Sequence, residues 1–202
     1  MRTMRVLVAC IGVVVAGAVH AQTYPVKPVR LVSPYPPGGA NDILARIIGQ
    51  KLGEHLGQQI VIENRGGATG NIGAEYVVKA TPDGYTILMG QASNLTINVS
   101  LMSKMPYDPV KDLAPVTLVA TTPNLLVVHP SFPVKSVKDL VALAKAKPGA
   151  VNYASTGSGS AGHLAGELFK RVAKIDMVHI PYKGAAPALT DGVAGQAPRY
   201  FT

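Results

Sequence analysis

The stretch VRLVSPYPPGGANDILARIIGQKLGEHLG, residues 29–57, contains the pattern that decides the fold. It begins with a short aliphatic run that is typical of a buried strand, followed by a loop of prolines and glycines. Residues 41–56 then carry apolar side chains at helical spacing. We predict that Asn41 caps this helix and that Gly57 ends it. We expect its apolar face to consist of Ile43, Leu44, Ile47, Ile48, Leu52 and Leu56.

The same order of strand, small-residue loop and helix recurs along the chain, which is typical of an α/β protein with parallel sheets. The pattern predicts strands at 59–63, 85–90, 115–120, 124–129, 151–155 and 177–181. It predicts helices at 70–80, 136–147, 160–173 and 185–194, with weak helical character at 95–101. We interpret the break at 121–123 as a crossing between two lobes, a first lobe of residues 22–120 and a second of residues 121–196.

The N-terminus has the features of a cleavable export signal. Arg2 and Arg5 precede the uncharged residues 6–19, and small residues follow. A run of this length is too short to span a bilayer comfortably, which disfavours the alternative of a membrane anchor. We predict cleavage after Ala21, which removes the single cysteine, Cys10, and places a disulfide-free protein in the bacterial periplasm.

The charge of the chain is weak evidence for an anionic partner. The formal net charge of +8 falls to +6 without the two arginines of the predicted signal. The remaining basic residues are dispersed, and aromatic residues make up only 5% of the chain. Nucleic-acid binders concentrate positive charge on one face or interleave it with aromatic rings, so we expect no nucleic-acid partner.

Four small-residue loops follow predicted strands and open onto predicted helices, at residues 36–41, 66–70, 155–162 and 182–186. In a parallel sheet such loops lie at the carboxyl ends of the strands, where ligands bind. Each loop presents free backbone N–H groups and the positive end of a helix dipole. The sequence therefore predicts an anion site that needs no charged side chain.

One of these loops also permits a different class of function. GSGSAG at residues 157–162 satisfies the dinucleotide-binding pattern, follows a predicted strand and opens a helix. However, Asp176 lies at the near end of the next strand, whereas the ribose-binding acid belongs at the far end. The far end carries Lys183, which could serve a 2′-phosphate, so an exported dinucleotide-dependent enzyme is the alternative.

Other chemistry has little support in the sequence. Neither G-x-S-x-G nor S-x-x-K occurs, and nothing identifies an acid that would orient His163 beside Ser158 and Ser160. His163 and Glu167 could share a helix face, but two possible metal ligands without a third favour a structural role. We predict no catalytic residue, no metal and no cofactor.

Three further side chains have both a structural and a functional interpretation. Asp42 and Arg46 are spaced as a surface ion pair at a helix start, or Asp42 faces the ligand loop beside it. Tyr35 and Tyr182 could each offer a ring and a hydroxyl to a ligand, or pack in the core.

The ordered motifs of the chain resemble the Bug receptors, the TctC-type periplasmic solute-binding proteins of tripartite tricarboxylate transporters. The resemblance runs from the predicted signal to about residue 196. Its motifs are PVR at 28–30, PPGG at 36–39 with Asp42 and Ala45-Arg46, VIENRGGA at 61–68, PDGYT at 82–86, YDP at 107–109 with Asp112-Leu113, residues 155–163 with Glu167 and Phe169, and PYKG at 181–184.

This resemblance implies a two-lobed α/β binding protein of type II-like architecture that closes around a small carboxylate. It implies a monomer without catalysis that delivers its ligand to the membrane permease subunits of a tripartite transporter. Carried over to matching positions, the ligand residues are Tyr35, Pro36, Pro37, Gly38, Gly39, Asp42, Ala68, Thr69, Gly70, Gln91, Ala92, Ser93, Ser155, Thr156, Gly157, Ser158, His163, Tyr182, Lys183, Gly184 and Ala185.

The chain departs from the resemblance at its C-terminal end. Members of the family are longer, and residues 197–202 form an atypical tail where a further apolar strand would be expected. We interpret this tail as a truncation that leaves the first lobe incomplete. We therefore expect exposed apolar surface and marginal stability, and a third possibility is that the product binds nothing because its fold is unfinished.

Overall fold

The computed structural model describes residues 24–195 and 199–201, and the predicted signal at 1–21 lies outside them. The first elements are β1 (Val29–Ser33), α1 (Ala40–Leu56), β2 (Ile60–Asn64), a 3₁₀ turn (Ala68–Gly70), α2 (Asn71–Val78) and β3 (Thr86–Leu88). A π-helical turn (Ser93–Ile97) and α3 (Asn98–Leu101) follow. The remaining elements are β4 (Leu126–Val128), α4 (Val137–Ala146), β5 (Asn152–Ser155), α5 (Ala161–Ala173), β6 (Val178–Pro181), α6 (Ala185–Val193) and β7 (Arg199–Phe201). None of the helices in the described residues combines the length and the apolar character needed to cross a membrane.

The first sheet has the strand order β2–β1–β3, and both pairings are parallel. Because α1 connects β1 to β2 and α2 connects β2 to β3, all three strands end at the same edge of the sheet. Leu31, Ala45 and Met89 are buried between this sheet and its helices. The predicted α/β class is confirmed.

The start of α1 differs from the prediction. Gly39 occupies the N-cap position, and the helix already begins at Ala40. The predicted cap, Asn41, is buried inside the helix, where its Oδ1 accepts from Ser33 (2.8 Å) and its Nδ2 donates to the Met89 carbonyl (2.9 Å). The prediction is wrong because the buried amide hydrogen-bonds to Ser33 and to Met89, whereas a capping amide would bond only to the end of its own helix.

The predicted apolar face of α1 is confirmed at Leu44 and Ile48, which pack against the core, and is wrong at Ile43 and Ile47. Ile43 and Ile47 are 52% and 54% exposed. Ala45 and Gly49 are buried instead, and a Cβ on Gly49 would lie 2.7 Å from Ile62 Cδ1. The helix packs its smallest residues on β2 because they allow the closest approach of the two backbones. At its other end the prediction holds, since Gly57 is left-handed and donates its N–H to Gly53.

The second sheet has the order β4–β7–β5–β6, in which β7 is parallel to β5 and antiparallel to β4. Its core packs α4 and α5 against the strands. This core consists of Val134, Leu140, Ala144, Val151, Tyr153, Ile175 and Met177. Helix α4 begins at a capping residue, Ser136, whose Oγ accepts from the Asp139 N–H at 3.1 Å.

The C-terminal segment also differs from the prediction, because residues 199–201 form β7 between β4 and β5. Part of the predicted atypical tail thus supplies a strand. The gap between two strands offers backbone partners on both sides, and aromatic residues such as Tyr200 and Phe201 are common in strands.

The predicted strand at 115–120 does not form. Val116 and Leu118 are 88% and 79% exposed, and no strand of the described residues pairs with this segment. A β-strand needs a neighbouring edge to satisfy its backbone groups, and local preference alone does not supply one. The expected exposure of apolar side chains is seen here, and it extends to Leu125.

Close packing of α5 on β5 gives a test of the fold. Gly166 is buried directly against the Tyr153 ring, which has no exposed surface. Because the ring cannot move aside, we expect Gly166→Ala to lower the free energy of unfolding by about 1–3 kcal/mol. Urea denaturation followed by circular dichroism measures this change.

Gly192→Ala in α6 is the matched control, because no atom lies within 4 Å of the position of its Cβ. We expect this second helical substitution to leave stability unchanged or raise it slightly. Equal destabilisation by both substitutions would contradict the packing of α5 on β5.

Candidate ligand-binding site

The loop after β1 is held by Asp42. The N–H of Gly38 donates to its carboxylate at 3.0 Å, and Asn64 Nδ2 donates to it at 2.9 Å. Arg46 contacts both carboxylate oxygens, at 3.1 and 3.0 Å. The hydrogen bond from Arg46, followed by those from Gly38 and Asn64, holds the pKa of Asp42 below its ordinary value. The side chain is only 5% exposed, so this geometry favours a role in shaping the loop over direct contact with a ligand.

The loop after β2 has an unusual backbone. Ala68 and Thr69 have φ values of +47° and +53°, between glycines that also have positive φ. Non-glycine residues rarely adopt this conformation, and it is concentrated at functional loops. Tyr35 supports the turn by donating its hydroxyl to the Thr69 carbonyl at 3.3 Å. Burial raises the pKa of Tyr35 to about 12, so the hydroxyl keeps its proton at neutral pH.

The segment after β3 packs behind these two loops. Gln91 and Ala92 are exposed, whereas Ser93 is buried beside the Tyr35 side chain. The next residue, Asn94, accepts from the Gln91 N–H at 2.9 Å. Of the three predicted residues in this segment, the structure therefore places Ser93 as support for Tyr35 and leaves the other two at the surface.

The two predicted loops of the second sheet are joined by backbone hydrogen bonds. Tyr182 donates its N–H to Ser155 at 3.0 Å, and Gly184 donates to Thr156 at 3.2 Å. These bonds seat the loop after β6 on the loop after β5. The Tyr182 hydroxyl donates to Asp191 at 2.8 Å and is engaged within the second sheet. Lys183 is exposed.

The loops of the two sheets meet each other. Thr69 Oγ1 donates to the Ser158 carbonyl at 2.9 Å. A Cβ on Gly39 would lie 3.6 Å from Ala185 Cβ, and a Cβ on Gly184 would lie 3.3 Å from Pro36 Cγ. The loops predicted separately from the sequence thus form one cluster, in which α1, α5 and α6 all begin.

Two surface grooves lie away from this cluster. One, of about 560 Å³, is at the opposite edge of the first sheet and includes Lys27, Arg30 and Tyr76. The other, of about 590 Å³, runs between α1 and β2. Neither groove is lined by a predicted ligand residue. The loop cluster differs from both grooves in that it brings loops of the two sheets into direct contact.

The geometry gives little support to a metal site or to a dinucleotide site. Glu167 accepts from Tyr153 at 2.7 Å and from Lys170 at 3.0 Å, and no hydrogen bond joins its carboxylate to His163 among the described residues. Among residues 24–195 and 199–201, no cluster of three His, Cys, Asp or Glu side chains could hold a metal ion. The carbonyl of Asp176 accepts from the N–H of Gly149, at the edge of the second sheet opposite residues 157–162. Asp176 therefore lies away from the loop that would bind a dinucleotide.

Sequence reasoning missed three supporting side chains. Asn64 donates to both Asp42 and the Tyr35 carbonyl, and it lies within the quoted VIENRGGA motif. Asn98 lies beside Gly159, whose Cβ would be 3.1 Å from the asparagine Oδ1. His179 contacts Ser155 at 2.7 Å. The motif was the only signal for Asn64, and no local signal marked the other two.

Comparison with known proteins shows the family. The model of the tripartite tricarboxylate transporter family receptor matches residues 44–200. The chain belongs to this receptor family. The predicted resemblance to the Bug and TctC-type receptors is confirmed, and so is the binding-protein fold class.

Three relatives show the extent of the similarity. Protein BugT of Bordetella pertussis is 40% identical over 195 residues, which cover 94% of this chain and 60% of that protein. The structure of R. palustris Rpa4515 with adipate has a TM-score of 0.82 and 42% identity, covering 87% of this chain and 59% of that one. MatC (Rpa3494) from Rhodopseudomonas palustris with bound malate has a TM-score of 0.80 and 35% identity, covering 87% and 60%. The chain thus spans about 60% of these proteins.

The bonds of Asp42 give a test of how the site is held. We expect Asp42→Asn to lower the free energy of unfolding by about 1–3 kcal/mol, because hydrogen bonds to a buried charge are lost. Glu54→Gln on the same helix is the control, since its pair with Lys51 is half exposed and contributes about 1 kcal/mol or less. Urea denaturation at neutral pH measures both variants.

The acid dependence of stability has a defined sign. Because folding lowers the pKa of Asp42, its stabilisation is present above the ordinary pKa of 3.8 and is lost as pH falls through the lower folded value. We expect Asp42→Asn to lose this component of acid unfolding. An unchanged acid profile in the variant would contradict the bonding described for this carboxylate.

Proposed function

We propose that this chain is a solute-binding receptor that holds a small carboxylate between the loops of its two sheets. Its membership of the receptor family supports this function, as do the adipate and the malate in two similar structures. The observation that carries the proposal is the contact between loops of different sheets, at the bond from Thr69 to Ser158 and at the approach of Gly39 to Ala185. The ligand residues we propose are those predicted from the sequence, except that Asp42, Ser93, Ser155 and the Tyr182 hydroxyl shape the loops.

The cluster suits an anion because of its backbone. Helices α1, α5 and α6 begin at the loops, with Gly39, Ser160 and Gly184 at their N-cap positions. The first N–H groups of a helix have no partner inside it and carry the positive end of the dipole. Several such ends can bind a carboxylate without burying an arginine or lysine, and this avoids the cost of desolvating a second charge.

We further propose that the receptor performs no catalysis. Ser155 and His179 are at the distance of a nucleophile and its base, 2.7 Å. However, Ser155 has no exposed surface, and its hydroxyl also contacts Gly157 within its own turn. A nucleophile must reach its substrate, so this pair fits a structural role.

The cellular setting is part of the same proposal. We propose export to the periplasm with cleavage after Ala21, and delivery of the ligand to permease subunits of a tripartite transporter. Residues 22–120 and 121–196 would form the two lobes of a monomer, with β7 added to the sheet of the second lobe. The family assignment supports the transport role. The sequence of residues 1–21 supports export.

Isothermal titration calorimetry of the purified, exported chain tests the function. Malate and adipate are titrated in parallel with NAD and NADP, which represent the dinucleotide alternative. We expect saturable binding of a dicarboxylate and none of a dinucleotide. Saturable binding of a dinucleotide, without binding of either carboxylate, would overturn the receptor proposal.

A pair of matched variants tests the position of the site. We expect Thr69→Val to weaken carboxylate binding about tenfold, because it removes one hydrogen bond between the loops. Thr190→Val removes a hydroxyl that bonds only to Ala186 inside α6, and we expect no change in affinity. If Thr69→Val binds like the control variant, the site lies elsewhere.

A further inference from the structure

Two histidine rings are stacked beneath the loop of residues 155–159. His163 lies in the first turn of α5 and His179 lies in β6. Their ring centroids are 4.0 Å apart and the rings are inclined by 17°. Each ring contacts the loop through a different hydrogen bond, and the sequence did not predict either contact.

His179 contacts the loop through Ser155. Its Nε2 lies 2.7 Å from Ser155 Oγ. The same oxygen accepts from the Gly157 N–H at 3.2 Å and donates to the Gly157 carbonyl at 3.1 Å, so His179 Nε2 is the donor in the contact with Ser155. The hydroxyl is buried, so its contacts fix the turn between β5 and α5.

His163 contacts the loop directly. Its Nδ1 accepts a hydrogen bond from the Gly159 N–H at 3.1 Å. A charged imidazolium carries hydrogen on both ring nitrogens and therefore cannot accept this bond. The observed geometry thus requires a neutral His163.

The groups that surround His163 and His179 do not offset the positive charge that both rings would carry if both were protonated. From α5, Glu167 and Lys170 face the rings, but they pair with each other at 3.0 Å. From β5, Tyr153 stacks on His179 at 4.9 Å and donates its hydroxyl to Glu167. Burial, and then the charge of His163, lower the pKa of His179 to about 4.

We propose that His163 and His179 are positioning residues for the 155–159 loop, which keeps its binding shape only while His163 is neutral and accepts from Gly159. They thereby set the lowest pH at which the loop holds a carboxylate. The second statement rests on the proposed receptor function, whereas the first concerns the loop alone.

The direction of the pH effect follows from the two states of His179. Its pKa is lower in the folded protein than the ordinary value of 6.5, so the unfolded chain binds more protons at mildly acidic pH. Stability contributed by the neutral pair is therefore complete above 6.5 and declines as pH falls from there toward about 4.

Nuclear magnetic resonance of the full chain tests the loop without any ligand. The ring nitrogens of His163 and His179 and the amides of Gly157 and Gly159 are followed from about pH 8 to about pH 4. We expect both amides to shift as His163 protonates, and their hydrogen-exchange protection to fall about tenfold or more. If the amides stay unchanged while the rings titrate, the proposal is wrong.

The double variant His163→Asn with His179→Gln removes the titration and retains a polar group at each position. We expect its loop amides to be insensitive to pH over the same range. His55→Gln is the control, because His55 is exposed in the last turn of α1, and we expect the wild-type profile. Should the double variant fail to fold, the wild-type titration decides alone.

Calorimetry with malate tests the consequence for binding. Wild type and double variant are compared at each pH, so that the ionisation of malate itself cancels. We expect wild-type affinity to fall at least about tenfold more than that of the variant on acidification. Identical profiles would refute the link to binding. Loop amides that follow the rings, with no carboxylate bound at any pH, would refute the receptor function and leave the positioning role standing.

Discussion

Direct contact between the loops of two separate sheets is the constraint on which the rest of the site depends. The bond from Thr69 to Ser158 joins the loop after β2 to the loop after β5. At Gly39 and Gly184 the backbones approach so closely that a Cβ would already be in contact with the other sheet. Small residues at these positions are therefore a packing requirement.

Buried polar side chains give the loops their shape. Asp42 and Asn64 secure the loop after β1, and Tyr35 supports the turn at Thr69. On the second sheet, Ser155 performs the same task for the turn at Gly157. The bonds of these groups are satisfied by the protein, so they fix the backbone while the N–H groups at the helix starts supply the positive potential.

Local sequence was enough to predict most strands and helices, because aliphatic runs and glycine loops carry their signal within a few residues. Features that depend on distant partners were not predictable. The exposure of Ile43 is decided by how α1 approaches β2, and the segment 115–120 has strand-forming residues but no neighbouring strand. The local sequence predicts that Asn41 caps α1, yet its side chain hydrogen-bonds to both Ser33 and Met89. His179 lies in an ordinary strand, and only its stacking on His163 reveals its role.

Disulfide trapping tests the meeting of the two sheets most directly. Gly39 and Ala185 have a Cβ separation of 3.6 Å, within the range of about 3.5–4.5 Å that a disulfide requires. The mature chain carries no other cysteine if Ala21 is the cleavage site. Mild oxidation of Gly39→Cys with Ala185→Cys, analysed by mass spectrometry, should give a nearly complete intramolecular bond. Gly39→Cys with Gly192→Cys should give none. A failure of the first pair to close, at a rate no faster than the second, would contradict the shared site.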